Sequence, residues 1–207
     1  MAAEQELVRR AAAGDADAFE QLVRAYQKQV YNLTLRMSGN PEDALDLSQE
    51  AFLRAWRGLG AYRFGASFST WLYRLTSNVC IDFLRRQQRE KVVPLQFTDD
   101  EEKERELALP DPAPGPEEQL MAGWDRRQVQ AALEELEPEY RAALTLRVLQ
   151  ERSYAEIAEI LGIREGTVKS RIARAREKMR AALQKTGNKS AGKPSKETRK
   201  GGFRHEL

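Results

Sequence analysis

From Ser153 to Leu183 the chain reads SYAEIAEILGIREGTVKSRIARAREKMRAAL, a pattern that fits two short helices around a tight turn and little else. Ser153 and Glu156 have the S-x-x-E spacing of a capping box, in which the hydroxyl accepts from a first-turn N–H and the carboxylate reaches back to the cap. A helix therefore starts at Ser153. Ile157, Ile160 and Leu161 recur on one face, and Gly162 supplies the left-handed geometry that ends the helix and turns the chain. Val168, Ile172, Ala175, Met179 and Leu183 then repeat every three or four residues, which anchors a second helix on the first.

What that second helix leaves outside is basic. From Glu165 to Lys185 the cations Lys169, Arg171, Arg174, Arg176, Lys178, Arg180 and Lys185 oppose only Glu165 and Glu177. A cationic helix is most often a solvated face. Here the cap, the glycine turn and a small polar residue, Ser170, among cations coincide, and together they make a helix-turn-helix whose natural counter-charge is DNA phosphate.

Charge elsewhere is abundant but balanced: 32% of the 207 residues are charged, with a net charge of +2, so nucleic-acid affinity has to come from clustering. The single cysteine, Cys80, has no disulfide partner, and the single histidine, His205, sits in a polar tail, so no zinc site or Ser/His/Asp arrangement is expected. Neither is a phosphate-cradling G-x-x-x-x-G-K-[ST] loop present. The reading is a non-enzyme without metal or cofactor. No apolar run approaches the roughly 18 residues that span a bilayer, and the first residues lack a signal-peptide core, so a cytoplasmic protein without membrane insertion is expected.

Composition changes abruptly after Lys91. Between Asp99 and Glu118 nine acids face only Lys103 and Arg105 and are interleaved with Pro110, Pro112, Pro114 and Pro116, a composition that favours an extended, flexible linker. The Gly-, Ser- and Lys-rich end reads as a disordered basic tail. The chain is thus expected to be all-α, with helical domains at 1–91 and 117–184, a linker at 92–116 and a tail at 185–207.

In the first domain, Phe19, Leu22, Val23, Tyr26, Val30, Leu33 and Met37 mark a long amphipathic helix closed by Gly39, Asn40 and Pro41. A second helix starts at Pro41 and turns Ala44, Leu47, Ala51, Phe52, Ala55 and Trp56 inward. Its other face carries Asp43, Asp46, Gln49, Glu50 and Arg54, which alone reads as solvated. A third helix runs through FSTWLYRLTSNVCIDFLRRQQREK, with Phe68, Trp71, Leu72, Leu75, Val79 and Phe83 on its packed side. Aromatics and cations alternate through the preceding loop and this helix, which suits stacking on unpaired bases. For Phe68, Trp71 and Phe83 a core role is the simpler reading, whereas Tyr62, Arg63 and Phe64 lie in a loop where an exposed aromatic needs a reason.

The block DALDLSQEAFLRAWRGLGAYRFGASFSTWLYRLTSNVCIDFLRR, followed by an acidic linker and ELEPEYRAALTLRVLQERSYAEIAEILGIREGTVKSRIARAREKMR, closely resembles the extracytoplasmic-function sigma factors of bacterial RNA polymerase. The likeness runs from about Asp15 to Leu183. It implies a domain two that binds the core polymerase clamp and opens the minus-ten element, a domain four that reads the minus-thirty-five element, and a linker where larger relatives have a middle domain. It further implies promoter-directed transcription in a stress or envelope response, and restraint by an anti-sigma factor.

The resemblance assigns Asp46, Gln49, Glu50 and Arg54 to the polymerase-binding face, which lifts them above a merely solvated surface. It places Tyr62, Arg63 and Phe64 in a loop that captures a flipped nontemplate base, and Asn78, Arg85 and Arg86 on the helix facing the minus-ten region. It aligns Lys169, Ser170, Arg171 and Arg174 with the positions that enter the major groove, and leaves Arg176 and Lys178 for phosphates. One departure is Arg164, a poor N-cap where the family often opens the recognition helix with Ser or Pro. A free-standing repressor would need a dimer interface or sensor to set two half-sites, and no heptads or sensor domain are visible. A nucleic-acid enzyme would need acids clustered in a folded site, but here they cluster in the linker.

Overall fold

The computed structural model describes residues 2–63, 65–91 and 126–190. The expected linker, the opening of the second domain up to residue 125, Phe64 and residues 191–207 lie outside them. Helices α1 (Ala2–Ala12), α2 (Ala16–Ser38), α3 (Pro41–Gly58) and α4 (Phe68–Lys91) form the first unit, and α5 (Arg126–Glu134), α6 (Pro138–Leu149), α7 (Tyr154–Leu161) and α8 (Glu165–Ser190) the second. No strand occurs among the described residues.

Local chemistry sets the helix ends. The Asp15 carboxylate accepts from the Ala18 N–H at 3.0 Å to open α2, and Gly39, at φ 79°, closes it by donating to the Leu35 carbonyl. Asn40 then caps α3, its Oδ1 accepting from the Glu42 N–H at 2.7 Å, while Pro41 fills a first-turn position that needs no donor. A 3-10 turn over Leu59–Ala61 and the short loop after it lead to α4, where Ser67 Oγ accepts from the Thr70 N–H.

Two large apolar centres hold the described residues, beside a small third one at Ala132, Ala182 and Leu183. Leu22, Val30, Ala51, Leu59 and Leu72 form the core of the first unit, with Val8 and Ala11 of α1 laid against them. Pairs at Thr34–Ser48 (2.8 Å) and Thr34 Oγ1 to the Ala44 carbonyl (2.9 Å) satisfy the buried hydroxyls between α2 and α3.

The second centre belongs to both units. Leu33, Met37, Tyr73 and Cys80 of the first meet Leu133, Leu136, Leu146 and Ile157 of the second in one continuous cluster. The two helical units pack on each other through this cluster. The resulting burial pushes the Cys80 thiol up to about 12.

Two details differ from expectation. Trp56, placed inward by periodicity, is 37% exposed, because the buried stripe of α3 is the small-residue line Ala44, Ala51 and Ala55, and the indole lies beside it against Phe19 at 4.9 Å. Helix α8 continues to Ser190, past the expected tail boundary at 185, since each added residue of an existing helix gains a hydrogen bond without a new nucleation cost.

Candidate nucleic-acid interface

The helix-turn-helix forms as its sequence requires. Ser153 Oγ accepts from the Glu156 N–H at 3.2 Å, and Glu156 Oε2 accepts from the Ser153 N–H at 2.9 Å. That backbone bond, joined by the Arg152 guanidinium, holds the Glu156 carboxyl below its ordinary value. Gly162 adopts φ 68° and donates to the Ala158 carbonyl. Helix α8 begins at Glu165, and the Arg164 carbonyl accepts from the Val168 N–H, so the recognition helix starts cleanly despite a poor capping residue.

Val168, Ile172 and Ala175 are buried, which fixes the rotation of α8 and turns its polar positions outward. Lys169 is partly exposed, 3.5 Å from Glu165 and 5.7 Å from the centre of the Tyr154 ring. Ser170 donates to the Thr167 carbonyl at 2.9 Å. Arg171, Arg174 and Arg176 are partly exposed, with Arg174 donating to Tyr140 Oη at 3.4 Å and Arg176 lining an apolar cleft with Leu144, Val148 and Met179. Lys178 pairs with Glu137 and lies over the Tyr140 ring. The structure thus gathers the six candidate residues on one helix, although Lys178 is engaged within the domain.

In the first unit, Asp46, Gln49, Glu50 and Arg54 recur at three and four residues and share a face of α3. Asp46 and Gln49 are exposed, and Arg54 bonds Glu50 at 2.6 Å. Leu45, Leu53 and Trp56 are exposed close by, and a shallow apolar groove runs between Phe19, Val23, Gln49, Phe52 and Leu53. Sequence reasoning passed over these leucines. Their signal was available, because positions 45 and 53 fall off the buried Ala44, Leu47 and Ala51 stripe.

The loop candidates divide. Arg63 is exposed, whereas Tyr62 is half-buried, donates to the Ala66 carbonyl at 2.5 Å and packs against Trp71 and Phe68. Burial raises its hydroxyl pKa. On α4, Asn78 and Arg86 are exposed and Arg85 is held in an ion pair by Glu139 of α6. Arg74, Asn78 and Arg85 share one face of the helix, while Arg86 points to another.

Family models describe the two units in the same order, Sigma-70 region 2 over residues 22–90 and Sigma-70 region 4 over residues 126–179. The chain is 39% identical to the ECF RNA polymerase sigma factor SigE of Mycolicibacterium smegmatis, over 87% of its own length and 68% of that protein. It belongs to the extracytoplasmic-function sigma factors. It is also 35% identical to SigW of Bacillus subtilis, covering 82% of this chain and 91% of SigW, and 38% identical to the sigma-E factor of Escherichia coli, covering 84% and 91%. Among solved structures, CnrH in complex with the cytosolic domain of CnrY matches with a TM-score of 0.62 at 25% identity, over 88% of this sigma factor and 98% of CnrH. RpoE of Bartonella quintana, solved with the anti-sigma factor NepR, shares the fold at a TM-score of 0.58 and 23% identity, over 80% and 96%. Like those relatives, the chain is an RNA polymerase sigma factor that directs transcription to promoters. Among the described residues no helix is long and apolar enough to cross a membrane.

Proposed function

We propose that this sigma factor binds core polymerase through the Asp46, Gln49, Glu50 and Arg54 face of α3 together with Leu45, Leu53 and Trp56, and that it works in the cytoplasm without chemistry of its own. The helix-turn-helix then enters the major groove of the minus-thirty-five element, with Lys169, Ser170, Arg171 and Arg174 towards bases and Arg176 and Lys178 towards phosphates. Arg63 and the loop around it, with Asn78, Arg85 and Arg86, engage the minus-ten element as it opens. Extruding a base costs a few kcal/mol of stacking, which aromatic and polar loop groups offset. An anti-sigma factor of the kind seen with RpoE of Bartonella quintana restrains it.

The observation that carries this reading is the outward basic face of α8, set by the burial of Val168, Ile172 and Ala175. The apolar rim beside Asp46 supplies the second support, since exposed leucines next to charge are the composition of a protein-binding surface. The test is transcription by core polymerase reconstituted with this chain on a library of genomic fragments from its source. Transcripts should share two upstream elements. Transcripts that appear only at the positions used by core polymerase alone would overturn the assignment.

A further inference from the structure

The apolar cleft that Arg176 borders has no part in the functional reading above. It lies between α5, α6 and α8, walled by Leu133, Leu144, Val148 and Met179, and follows α8 from Arg176 to Leu183, about 10 Å of helix. Its rim is cationic. Arg176 and Arg180 stand one turn apart on α8, the first partly and the second fully exposed, and Arg36 in the last turn of α2 adds a third guanidinium. Apolar walls offer nothing to a phosphate backbone, so DNA does not account for the cleft. Thr145, also in the lining, is 2% exposed, and its hydroxyl has no hydrogen-bond partner among the described residues. A buried hydroxyl in that state favours an occupant that brings a polar group to it.

The complementary surface is on the same chain. Leu45, Gln49, Leu53 and Trp56 recur on α3 at steps of four, four and three, which lines them up as one stripe. The two leucines are 52% and 49% exposed and lie about 12 Å apart along the axis, close to the length of cleft that α8 borders. Glu42 and Asp46, both exposed, flank the stripe, whereas Arg54 and Arg57 fall at the C-terminal end of the helix. Acid and base are equally spaced. Glu42 and Asp46 are four residues apart, as are Arg176 and Arg180, so each pair rises about 6 Å along its own helix. Gln49, between the leucines, carries the amide that the Thr145 hydroxyl can bond. The chain cannot fill its own cleft this way, because α3 is fixed by its buried Ala44, Leu47 and Ala51 and none of its residues lines the cleft. The occupant has to be a second molecule.

We propose that this chain self-associates head to tail, with the Leu45–Trp56 stripe of α3 in one copy seated in the Leu133–Met179 cleft of the next and with Glu42 and Asp46 against Arg176 and Arg180. This is recognition of an amphipathic helix by a groove, in which the leucines anchor and the rim charges set direction. The giving and receiving faces differ, so the contact is heterologous. It closes as a pair where each copy serves the other, and otherwise adds copies in a row. A contact made by one helix lies at the low end of specific interfaces, which puts the dissociation constant on the order of 10 µM. A seated α3 is withheld from the polymerase contact assigned to it above, and that consequence alone rests on the functional reading.

Sedimentation velocity of the full chain, free of polymerase, from about 1 to about 100 µM tests the pairing whatever the outcome for polymerase. The average mass should be that of one chain at the low end and at least about 1.5-fold greater at the high end. Leu45→Ser with Leu53→Ser removes the anchors, and Arg176→Glu with Arg180→Glu reverses the rim. Each double variant, at unchanged helix content, should need at least about tenfold more protein to associate. Glu42→Lys with Asp46→Lys should fail in the same way, yet an equal mixture of it with the Arg176→Glu, Arg180→Glu chain should recover association, because opposite charges meet again. A chain that stays single over the whole range overturns self-association. Association that survives either the leucine or the arginine changes belongs to other surfaces and overturns the pairing, as does a mixture that fails to recover it.

Discussion

Arg141 of α6 reaches across the domain boundary and donates to the carbonyl of Met37, in the last turn of α2, at 2.5 Å. Its second terminal nitrogen donates to the carbonyls of Glu134 and Leu136 at 2.8 and 3.2 Å, so one guanidinium ties the end of α2 to the α5–α6 connection. A cation at a helix C-terminus is favoured by the dipole, and the residue is only 4% exposed. Burial draws its pKa down without removing its charge. Arg141→Ala leaves those carbonyls buried without the donor and opens a cavity, and should cost about 2–4 kcal/mol in urea unfolding. Arg141→Lys, with one point donor in place of a fork, should recover only part of that.

Reversing charge on the α3 face separates binding from folding. Asp46 is exposed, and Glu50→Lys loses the 2.6 Å pair with Arg54, a half-exposed contact worth about 0–1 kcal/mol. The double variant should keep its thermal unfolding midpoint within a few degrees yet bind core polymerase at least about tenfold more weakly. Wild-type capture of core by the folded variant would remove this face from the polymerase interface.

How far the sequence could be read depended on whether a signal was local. The Ser153–Glu156 cap and the Gly162 turn lie within ten residues of each other, and both formed as their spacing required. The closures at Gly39 and Asn40 were equally local. The shared core was not legible, because nothing near Tyr73 or Cys80 in sequence says that Leu133 and Ile157 cover them. The same blindness affected Tyr62. As a loop aromatic it suggested display, but Trp71 and Phe68, a few residues on, fold back under it and Ala66 takes its hydroxyl. Periodicity also could not rank Trp56 against the alanines beside it, since a stripe of small residues lets α2 approach closely and leaves the indole at the rim.

Two arginines on α8 should respond differently to truncation. Arg171 stands beside Ser170 in the first half of the helix, whereas Arg176 lies farther along and borders the apolar cleft near Met179. Arg171→Ala should relax the preference within the minus-thirty-five element, with a loss of about 1–3 kcal/mol where a bidentate base contact is removed. Arg176→Ala should weaken all sequences alike and lower the salt dependence by about one ion. Binding titrations of the holoenzyme against promoter variants at several salt concentrations distinguish the two. A changed consensus from Arg176→Ala would reverse the assignment.

The capping box gives the helix-turn-helix an acid sensitivity. Glu156 is held below the ordinary 4.5 first by the Ser153 N–H and then by Arg152, so its protonation is disfavoured in the folded domain relative to the unfolded chain. A carboxyl lowered on folding contributes stability that is complete above its unfolded value and is lost as pH falls through the folded one. The helix-turn-helix should therefore loosen below about pH 4.5, whereas at pH 7 the contribution is intact. Glu156→Gln keeps a side chain able to accept from Ser153 but removes the titration, and should flatten this part of the pH profile. Ser153→Ala removes the acceptor for the Glu156 N–H and should cost about 1 kcal/mol at neutral pH. Amide exchange of α7, followed from pH 3 to pH 7 in the three proteins, reports both effects. An identical acid-dependent rise in exchange for the wild type and Glu156→Gln would place the sensitive group elsewhere in the domain.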